Sequence, residues 1–466
     1  MPAERGRWHF GVLSFTGTGH LNPMILLSQQ LRDRGHRVTF FEKPKIEDRV
    51  RQAGLEFYPI GTNASPFKGM GPKVEKPSPW SELSTLRFNL RRIEHDLAMY
   101  FEDTPPALEQ TGVDAMLINE IALTGPTIAQ MLRLPYFIIS TSVPHNFGWN
   151  DLSRLSGYGY SASWLSGLQS AVLEVSSLRI HGPIRRMLDK HRRQLGLGPV
   201  RDLASSFPAL AHITQLPQCL DFPRTNLPGN FHFTGPFKSD ATRPYVEFPW
   251  ARLDGRPILY ASLGTTRNVQ PAVFHLIAEG CKDLGLQLVI SLGGRFAPED
   301  FANLPGDPVV TKFAPQLDLL KLAQIVITHS GPNTVFEALM AGKPMVAVPI
   351  ALDQSAIAAR LARLGIAEVL PVMRLSAERI RAAVTKVLND PGYRNAAMEM
   401  KTKLHAFSGL DRAVTIIEKA LETYGTAARA ETDPGSALAG AIGGNSNSAP
   451  ASRAAHQVIK RLDTLA

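Results

Sequence analysis

The sequence predicts an α/β protein with two parallel β-sheets, because short apolar runs alternate with amphipathic helical stretches along most of the chain. The run Ala323–Thr328 illustrates the pattern, since it is apolar and short, as a buried parallel strand is. A helix is predicted over Pro23–Arg34, ending near Gly35. The predicted strands of the first sheet are Phe10–Phe15, Arg37–Phe41, Ala115–Asn119 and Tyr136–Ser140, and those of the second are Pro257–Gly264, Leu286–Leu292, Ala323–Thr328 and Pro344–Ile350.

A polar stretch, Lys238–Leu253, divides the chain, because it carries two prolines and lies between apolar units. We predict an N-terminal domain over 1–237, a linker over 238–253 and a C-terminal domain over 254–424, whose last helix could pack back on the N-terminal domain. Residues 425–466 are predicted to form a disordered tail, because Gly425–Ser452 is rich in small and polar residues that cannot bury enough apolar surface to order themselves.

The composition limits the compartment and the chemistry. A chain of 466 residues with 44% hydrophobic content is large enough for two cores. Its two cysteines, Cys219 and Cys281, lie far apart without the spacing of a metal site, which predicts a reducing compartment and no zinc or iron–sulfur centre. No apolar run approaches the length of a membrane span, and His9–Phe15 is predicted to be a strand rather than a signal-peptide core. We therefore expect a cytoplasmic protein, and we expect it to be a monomer.

The chain is basic, with a net charge of +9 and a pI near 9.5. Its lysines and arginines cluster at Arg87–Arg92 and Arg185–Arg193, where acidic residues accompany them and Phe88 is the single interleaved Phe, Tyr or Trp. This pattern favours solvated helix faces, so nucleic acid is not predicted as a partner. The alternative is a basic rim that makes peripheral contact with an anionic membrane.

The segment Thr328–Thr334 joins a predicted strand to a predicted helix and has the features of a phosphate site. Gly331 gives the backbone room for close approach, and Pro332 occupies a first helical position, where its missing N–H costs nothing. The helix is predicted over Asn333–Ala341 and ends at Gly342. Its N-terminus offers free N–H groups and a positive dipole end, which suit a diphosphate.

Polar side chains around this helix complete a site for a sugar nucleotide. Glu337 lies one turn into the helix, where it could accept hydrogen bonds from ribose hydroxyls. Asp353 and Gln354 follow the next strand, at the edge of the sheet where ligands bind in open α/β folds; a helix cap by Asp353 is compatible with that role. The side chains that add hydrogen-bond donors near the helix N-terminus are His329, Asn333 and Thr334. Further donors could come from Gly264, Thr265 and Thr266, which follow the first strand of this sheet. A structural role for Thr265 and Thr266 is an open alternative.

Together these residues resemble the nucleotide-sugar motif of the family 1 glycosyltransferases, the UDP-glycosyltransferase superfamily. The resemblance extends over about 10–421, and the segments 260–268 and 286–295 are similar to bacterial zeaxanthin and macrolide glycosyltransferases. It implies the GT-B fold, in which two Rossmann-like domains face a central cleft. The matching residues are Phe313-Ala314-Pro315-Gln316, His329 to Ala338, Gly342-Lys343-Pro344, Pro349 and Asp353-Gln354.

The resemblance implies a role for each end of the donor. Phe313 stands where the family has tryptophan and would stack on the base with less area than an indole. Gln316 would bond ribose or base, and Asp353 and Gln354 would hold the sugar hydroxyls. Gly19, in the N-terminal domain, would lie against the donor from the other side. The donor is expected to be a UDP-sugar, with dTDP as the alternative, and neither a metal nor a further cofactor is expected.

His20 is the candidate general base. The glycines of Ser14–Pro23 permit a tight turn, and Pro23 is predicted to open the helix, so that His20 would lie just before its N-terminus. The helix dipole there disfavours imidazolium, and a neutral imidazole facing a cleft can accept a proton from an alcohol. The alternative from the residues alone is that His20 only caps the helix. The resemblance implies catalysis, with inversion of the sugar configuration as UDP leaves.

One departure from the family concerns the support of this histidine. Family members usually place an aspartate at the position of Asn119. An amide can hold one imidazole tautomer, but it cannot stabilise imidazolium as a carboxylate does. Glu120 could substitute if the strand has already ended, and we predict that it does part of this work. Strand alternation would otherwise point Glu120 to the other face of the sheet.

The acceptor side is predicted to be apolar. Phe15, Pro144, Phe147 and Trp149 lie at strand ends or loops near His20, and such a lining favours a large lipophilic alcohol, although Phe15 could instead belong to the core. The sequence thus predicts an inverting, metal-independent transfer of a hexose, expected to be glucose, from UDP to a terpenoid, carotenoid, polyketide or phenolic hydroxyl. One alternative is a catalytically silent GT-B protein that assists a partner enzyme. A nicotinamide oxidoreductase is disfavoured because the Gly17–His20 turn lacks the third glycine of that fingerprint.

Overall fold

A computed structural model describes residues 6–62, 79–144, 182, 184–200, 209–224, 227–238, 245–265, 270–350 and 352–432. Within these ranges the chain forms two parallel sheets with helices on both faces, which confirms the predicted α/β class. Apolar side chains on both faces of each sheet are buried, so each sheet lies between two layers of core. No helix in these ranges is long and apolar enough to cross a membrane.

The strands lie in the Rossmann order in both sheets, so that the first strand of each domain lies beside the fourth strand of the same domain. The seven-stranded sheet has the order β3-β2-β1-β4-β5-β6-β7, and the six-stranded sheet has the order β10-β9-β8-β11-β12-β13. The strands are β1 His9–Leu13, β2 Arg37–Glu42, β3 Glu56–Pro59, β4 Ala115–Asn119, β5 Tyr136–Ser140, β6 Ala211–Thr214, β7 Phe231–Phe233, β8 Ile258–Ser262, β9 Gln287–Ser291, β10 Val309–Thr311, β11 Ala323–Thr328, β12 Met345–Ala347 and β13 Ala367–Val369.

Helices form most of the crossovers between these parallel strands, and the last three α-helices follow β13. A further helical stretch covers 184–194. The helices are α1 Thr18–Asp33, α2 Glu47–Gln52, α3 Pro79–Thr111, α4 Gly125–Leu132, α5 Pro271–Cys281, α6 Gln316–Leu322, α7 Pro332–Met340, α8 Leu352–Arg363, α9 Ala377–Asn389, α10 Pro391–His405 and α11 Gly409–Thr432, with short 3₁₀ helices at Pro44–Ile46, Trp250–Arg252, Pro298–Phe301 and Val372–Arg374.

Helix α1 begins at Thr18, so the prediction that Pro23 opens this helix is wrong. Gly17 is the N-cap residue, His20 lies in the first turn, and Pro23 lies inside the helix. The error has a physical reason, since a proline is tolerated in a helix when the carbonyl it leaves without a donor finds another one. That carbonyl belongs to Gly19, one turn earlier, and its donor is described with the site below.

The last helix, α11, returns to the N-terminal domain. Its apolar face, including Leu410, Val414 and Leu421, is buried in the core that also contains Met24 of α1. The helix continues to Thr432, past residue 424, where we predicted the end of the C-terminal domain. The rest of the predicted tail, 433–466, lies outside the described residues.

A second segment, directly after β6, passes from the N-terminal domain to the C-terminal domain. Leu216 and Leu220 follow this strand of the first sheet, yet both are buried in the core of the second domain. Asp221 then forms a buried ion pair with Arg360 of α8, at 2.7 Å. The two domains therefore exchange segments, and their sheets are held in a defined relation.

Candidate active site

The predicted catalytic and donor residues lie at the carboxyl edges of the two sheets, where the strand order reverses. β1 precedes the His20 turn and β4 ends at Asn119, while β8 precedes Gly264 and β11 precedes His329. These are the switch points at which open α/β sheets bind ligands. The two edges touch, because Asn333 of α7 donates through Nδ2 to the Gly19 carbonyl at 3.1 Å.

The Gly19 carbonyl is available for this contact because of Pro23. Residue 23 of a regular helix would donate its N–H to the carbonyl four residues earlier, and proline has no N–H. Asn333 supplies the missing donor from the other domain, and its Oδ1 lies 3.4 Å from Nε2 of Gln215. The Asn333 side chain thus joins the two domains, and its predicted bond to the diphosphate stays a prediction.

His20 is held by a hydroxyl. Its Nδ1 lies 2.7 Å from Oγ1 of Thr141, the residue that follows β5. Asn119 donates to the same oxygen through Nδ2 at 3.1 Å, while its Oδ1 accepts the Ile121 N–H at 3.3 Å. The Ile121 bond fixes the orientation of the amide, because a backbone N–H can only donate. Asn119 and Thr141 are buried, so this arrangement is shielded from water.

Glu120 has partners on the opposite face of the sheet. Its carboxylate accepts from the Ser140 hydroxyl at 2.7 Å and lies 3.4 Å from Nε2 of His212. Strand alternation places these residues away from Asn119. Thr141 therefore occupies the position beside His20 that we expected Glu120 to take.

Phe15 presents an apolar surface next to the candidate base. Its ring lies perpendicular to the His20 ring, with centroids 5.6 Å apart, and the residue is 47% exposed, so it does not belong to the core. Pro144 is buried directly after β5. Phe147 and Trp149 lie outside the described residues, and their predicted acceptor role stays a prediction.

The strand–turn–helix at residues 328–342 has the geometry that the sequence predicts. Gly331 is the N-cap of α7 and Pro332 is its first residue. Gly342 has a left-handed backbone (φ +69°), and the Lys343 N–H bonds the Ala338 carbonyl at 2.9 Å, which ends the helix. The N-terminus of α7 consequently faces the cleft with its first N–H groups available for an anion.

His329 is enclosed between two glycines. A Cβ on Gly264 or on Gly331 would collide with the His329 ring near Nε2. Burial lowers the pKa of His329 to about 4, and the Asp353 carboxylate and the Ser262 backbone, which both raise it, do not compensate. Its Nδ1 is buried without a hydrogen-bond partner of good geometry. The ring is therefore neutral at pH 7 and can offer a single N–H to a phosphate oxygen.

The remaining phosphate candidates lie on the same rim. Thr334, in the first turn of α7, is half-buried, and Thr265, after β8, is exposed. Ser330 adopts a left-handed backbone (φ +66°) that turns the chain between β11 and α7, and its N–H bonds Oγ1 of Thr328 at 3.2 Å. Thr266 lies outside the described residues.

The base-binding end contains Phe313 and a polar cluster. Phe313 is 48% exposed and packs against Gly294, where a Cβ would collide with its ring. Gln316 donates to Glu337 at 2.6 Å and accepts from the Tyr260 hydroxyl at 3.1 Å. Gln316 and Glu337 thus bond each other, so a ribose would meet them as one paired unit.

The sugar-binding end is tied to the N-terminal domain. Asp353 accepts from the Ser142 hydroxyl at 2.9 Å, across the cleft. Gln354 accepts the Ile350 N–H at 2.8 Å, so this glutamine bonds the backbone just before α8. Thr141 and Ser142 are consecutive residues, so one turn contacts both His20, the candidate general base, and Asp353, the carboxylate predicted to bind the sugar.

Sequence reasoning missed Thr141, Ser142 and Gln215. Gln215 is buried and donates to the Thr141 carbonyl at 2.6 Å, which links the turn after β5 to Asn333. The only sequence signal for these residues is that polar side chains follow the apolar runs of β5 and β6. That position, at the carboxyl edge of a parallel sheet, is where ligand-binding residues are found.

Two cavities lie away from this cleft. One, of about 530 Å³, is lined by residues that include Glu279 and Arg381, and the other, of about 440 Å³, lies at the amino ends of β1 and β2 near His9 and Arg37. Neither contains a predicted site residue. The chemistry assigns the site to the cleft, where the convergent polar groups and the two switch points are.

Two family profiles match the chain. The profile of the UDP-glucoronosyl and UDP-glucosyl transferases matches residues 98–431, and that of the glycosyltransferase family 28 N-terminal domain matches residues 12–143. The chain belongs to the UDP-glucoronosyl and UDP-glucosyl transferase family. It is thus a family 1 glycosyltransferase, an enzyme that transfers sugars to small-molecule acceptors, as the resemblance of its motifs implies.

Named relatives cover almost the whole enzyme. The zeaxanthin glucosyltransferase of Pantoea ananas is 26% identical over 89% of this chain and 96% of its own length. The 4'-demethylrebeccamycin synthase of Lentzea aerocolonigenes is 28% identical over 87% and 98%. Among solved structures, the calicheamicin glycosyltransferase CalG4 matches with a TM-score of 0.68 and 23% identity, over 89% of this chain and 98% of CalG4, and VinC in complex with dTDP matches with a TM-score of 0.61 and 20% identity, over 89% and 100%. These structures confirm the GT-B fold.

Proposed function

We propose that this glycosyltransferase is inverting and metal-independent, and that it moves glucose from UDP-glucose to a hydroxyl of a lipophilic small molecule. The observation that carries the proposal is the hydrogen bond between Asn333 and the Gly19 carbonyl, at 3.1 Å. It joins the first turn of the helix that contains His20 to the first turn of the helix that would bind the diphosphate. Base and leaving group would therefore meet in one cleft.

The donor half of the proposal rests on the α7 end of the cleft. The helix N-terminus, the N–H of neutral His329 and the Thr334 hydroxyl would stabilise the negative charge that develops on the leaving diphosphate. The exposed ring of Phe313 would stack on uracil, and Asp353 with Gln354 would bond the hexose. Glucose is proposed because the Pantoea relative is named a glucosyltransferase, and UDP is proposed from the family.

The acceptor half rests on His20. In the proposed step, the acceptor hydroxyl gives its proton to Nε2 of His20 while its oxygen attacks the anomeric carbon from the side opposite the diphosphate. The bond from that carbon to UDP breaks, so the configuration inverts. Thr141 would accept the Nδ1–H and keep Nε2 directed at the acceptor, and Asn119 would hold Thr141. The half-exposed Phe15 ring beside His20 would contact an apolar acceptor.

The test is UDP release from UDP-glucose with a panel of terpenoid, carotenoid, polyketide and phenolic alcohols. His20→Ala should lower turnover by about 10²-fold or more, because general-base catalysis contributes on this scale, while UDP affinity stays within about twofold. His275→Ala, which removes an exposed imidazole on α5, is the matched control. Turnover should also survive extensive chelation. Full activity of His20→Ala, or a loss on chelation that magnesium restores, would contradict the proposal.

A further inference from the structure

We infer that Tyr260 is a positioning residue of the donor site, and that its hydroxyl makes nucleotide binding depend on the 2′-hydroxyl of the ribose. Tyr260 does not itself contact the nucleotide. It acts through the side-chain amide of Gln316, which it holds against the carboxylate of Glu337. The inference rests on the proposed function, in which the donor is a UDP-sugar, and it adds a buried residue to the group that selects this donor.

Two consecutive hydrogen bonds join three elements of the C-terminal domain. Tyr260 is buried in the middle of β8, and its hydroxyl donates to Oε1 of Gln316 at 3.1 Å. Gln316 is the first residue of α6, and its Nε2 donates to Oε2 of Glu337 in α7 at 2.6 Å. The glutamine of α6 thus connects the central strand to the helix that would bind the diphosphate.

The direction of these hydrogen bonds is fixed. A carboxylate accepts hydrogen bonds, so Glu337 takes the N–H side of the Gln316 amide and leaves the carbonyl oxygen for Tyr260. That oxygen cannot donate, so the Tyr260 hydroxyl must give its single proton to it. Burial raises the pKa of Tyr260 to about 12, although hydrogen bonds from the Ser262 and Ser291 side chains lower it. The hydroxyl therefore keeps its proton at pH 7 and remains a donor.

The Tyr260 hydroxyl restrains an amide that is partly open to solvent. Gln316 is half-buried, and rotation of its amide would withdraw the N–H from Glu337 or turn the carbonyl oxygen toward the carboxylate. The hydroxyl opposes both movements, because it donates to the oxygen side of the amide. Glu337 is 8% exposed, so little water reaches its carboxylate, and the Gln316 N–H determines in part how this carboxylate meets a ligand.

This arrangement fits the ribose hydroxyl nearest the base. Phe313, which would stack on the base, precedes Gln316 by three positions, and the 2′-carbon of a nucleoside is adjacent to the carbon that carries the base. A bound nucleotide would exclude water from Glu337, so a deoxyribose would leave the buried carboxylate with one donor fewer. Sites that hydrogen-bond a ligand hydroxyl reject the analogue that lacks it for this reason. A dTDP-sugar, which contains deoxyribose, would then be a poor donor.

The experiment compares UDP with 2′-deoxy-UDP, which share the base and the diphosphate and differ in one hydroxyl. The wild-type enzyme should bind UDP about tenfold more tightly or better in calorimetry, because the deoxy compound leaves a buried acceptor without a donor. In Tyr260→Phe, UDP affinity should fall by about three- to tenfold, the net effect of one hydrogen bond, and affinity for 2′-deoxy-UDP should change by less than about twofold. With UDP-glucose, KM should rise by the same factor while kcat stays within about twofold, because the His20 side of the cleft is unchanged.

Tyr136→Phe is the matched control. Tyr136 is also a buried strand tyrosine, and its hydroxyl lies 3.5 Å from Nε2 of Gln130, in the first domain. This variant loses the same atom and should leave the preference for UDP unchanged. Gln316→Met should itself lower the preference, and adding Tyr260→Phe to it should lower the preference no further, because Tyr260 acts through the amide.

The outcomes separate this inference from the proposed function. Equal wild-type affinity for the two nucleotides, or an unchanged preference in a Tyr260→Phe protein, would overturn the inference and leave the proposed donor standing. A fall in kcat with an unchanged preference would show a structural role alone, and additive effects of Tyr260→Phe and Gln316→Met would show that Tyr260 does not act through the amide. Failure of the wild-type enzyme to bind UDP would overturn the proposed function, and the inference with it.

Discussion

Asp221→Asn should destabilise the junction between the two domains by about 3–5 kcal/mol, the cost of breaking a buried ion pair from one side. Asp221 follows β6 of the first sheet, and its Oδ1 accepts from Nε and Nη2 of Arg360 in α8, at 2.9 and 2.7 Å. Oδ2 accepts from Nε of Arg224 at 2.6 Å. The side chains of Asp221 and Arg360 are each 1% exposed, so water cannot replace the lost charge.

The magnitude follows from what the substitution leaves behind. Asparagine has nearly the same shape as aspartate, so packing survives, but the buried guanidinium groups of Arg224 and Arg360 lose the negative charge of Asp221. The Phe222 ring, 4.8 Å from Cζ of Arg360, cannot replace the lost negative charge. Its cation–π contact contributes only about 0.5–2 kcal/mol and is already present in the wild type. Removing all three charges with Asp221→Leu, Arg224→Met and Arg360→Met should restore much of the stability, because the cost lies in burying a guanidinium without the Asp221 charge.

The assay is urea unfolding followed by tryptophan fluorescence, with KM for UDP-glucose as a functional readout. KM should rise in Asp221→Asn, because α8 also carries Asp353, the proposed ligand of the donor sugar, near its start. Asp307→Asn is the matched control, since the Asp307–Arg252 ion pair, at 3.1 Å, has side chains 90% and 48% exposed and should contribute at most about 1 kcal/mol. The reasoning is refuted if both asparagine variants lose the same stability.

Three further predictions concern the donor site and the C-terminal helix. His329→Ala should weaken UDP binding by at least tenfold in calorimetry and abolish transfer, because it removes an N–H aimed at the diphosphate; unchanged affinity would exclude His329 from the site. Burial lowers the pKa of His329 from 6.5 to about 4, so the unfolded chain binds this proton first as the pH falls, and stability should drop by up to ~3 kcal/mol between pH 6.5 and 4. The loss of stability with falling pH should be shallower in His329→Gln. The control is His232→Gln, because burial also lowers the pKa of His232 to about 4; this variant should keep the contribution of His329. Equal slopes of stability against pH in His329→Gln and wild type would contradict the prediction. Truncation after Thr432 should leave turnover within a few-fold, whereas truncation after Leu410 should unfold the protein, because it removes the α11 residues buried in the first core.

Much of the donor site could be predicted from the sequence because its determinants are local. The turn at Gly331, the proline at the start of α7 and the glycine after its end lie within a few residues of one another, and β11 has the predicted bounds. Local chemistry of this kind depends on backbone preferences that neighbouring residues share. The central strands β4 and β5 were predicted with the same bounds for a similar reason, since buried parallel strands are continuous apolar runs.

The rest depends on contacts between residues far apart in the sequence. Thr141 reaches His20 across 121 positions, and no local pattern identifies which polar residue after β5 will do so. The short strands β3, β6 and β7 have too few residues to show an apolar run, and the sheet around them defines them. The start of α1 was misplaced because a proline usually indicates a first helical turn, and the contact that accommodates Pro23 comes from residue 333 of the other domain.

The hydrogen bond between Gly19 and Asn333 aligns the two sides of the cleft but adds little to the strength with which the domains are attached. An amide–carbonyl hydrogen bond adds only about 0.5–1.5 kcal/mol in net terms, since water takes its place when the domains part. It therefore contributes little to the attachment of the two domains, which depends mainly on the buried Asp221 pair and the α11 contacts. What the bond supplies is a fixed reference point one residue from His20, so that the direction of the base and the position of the donor helix are set together. Re-forming this bond after any opening of the cleft would return the His20 imidazole to the same place relative to the first turn of α7, while the two domains stay attached at the other contacts.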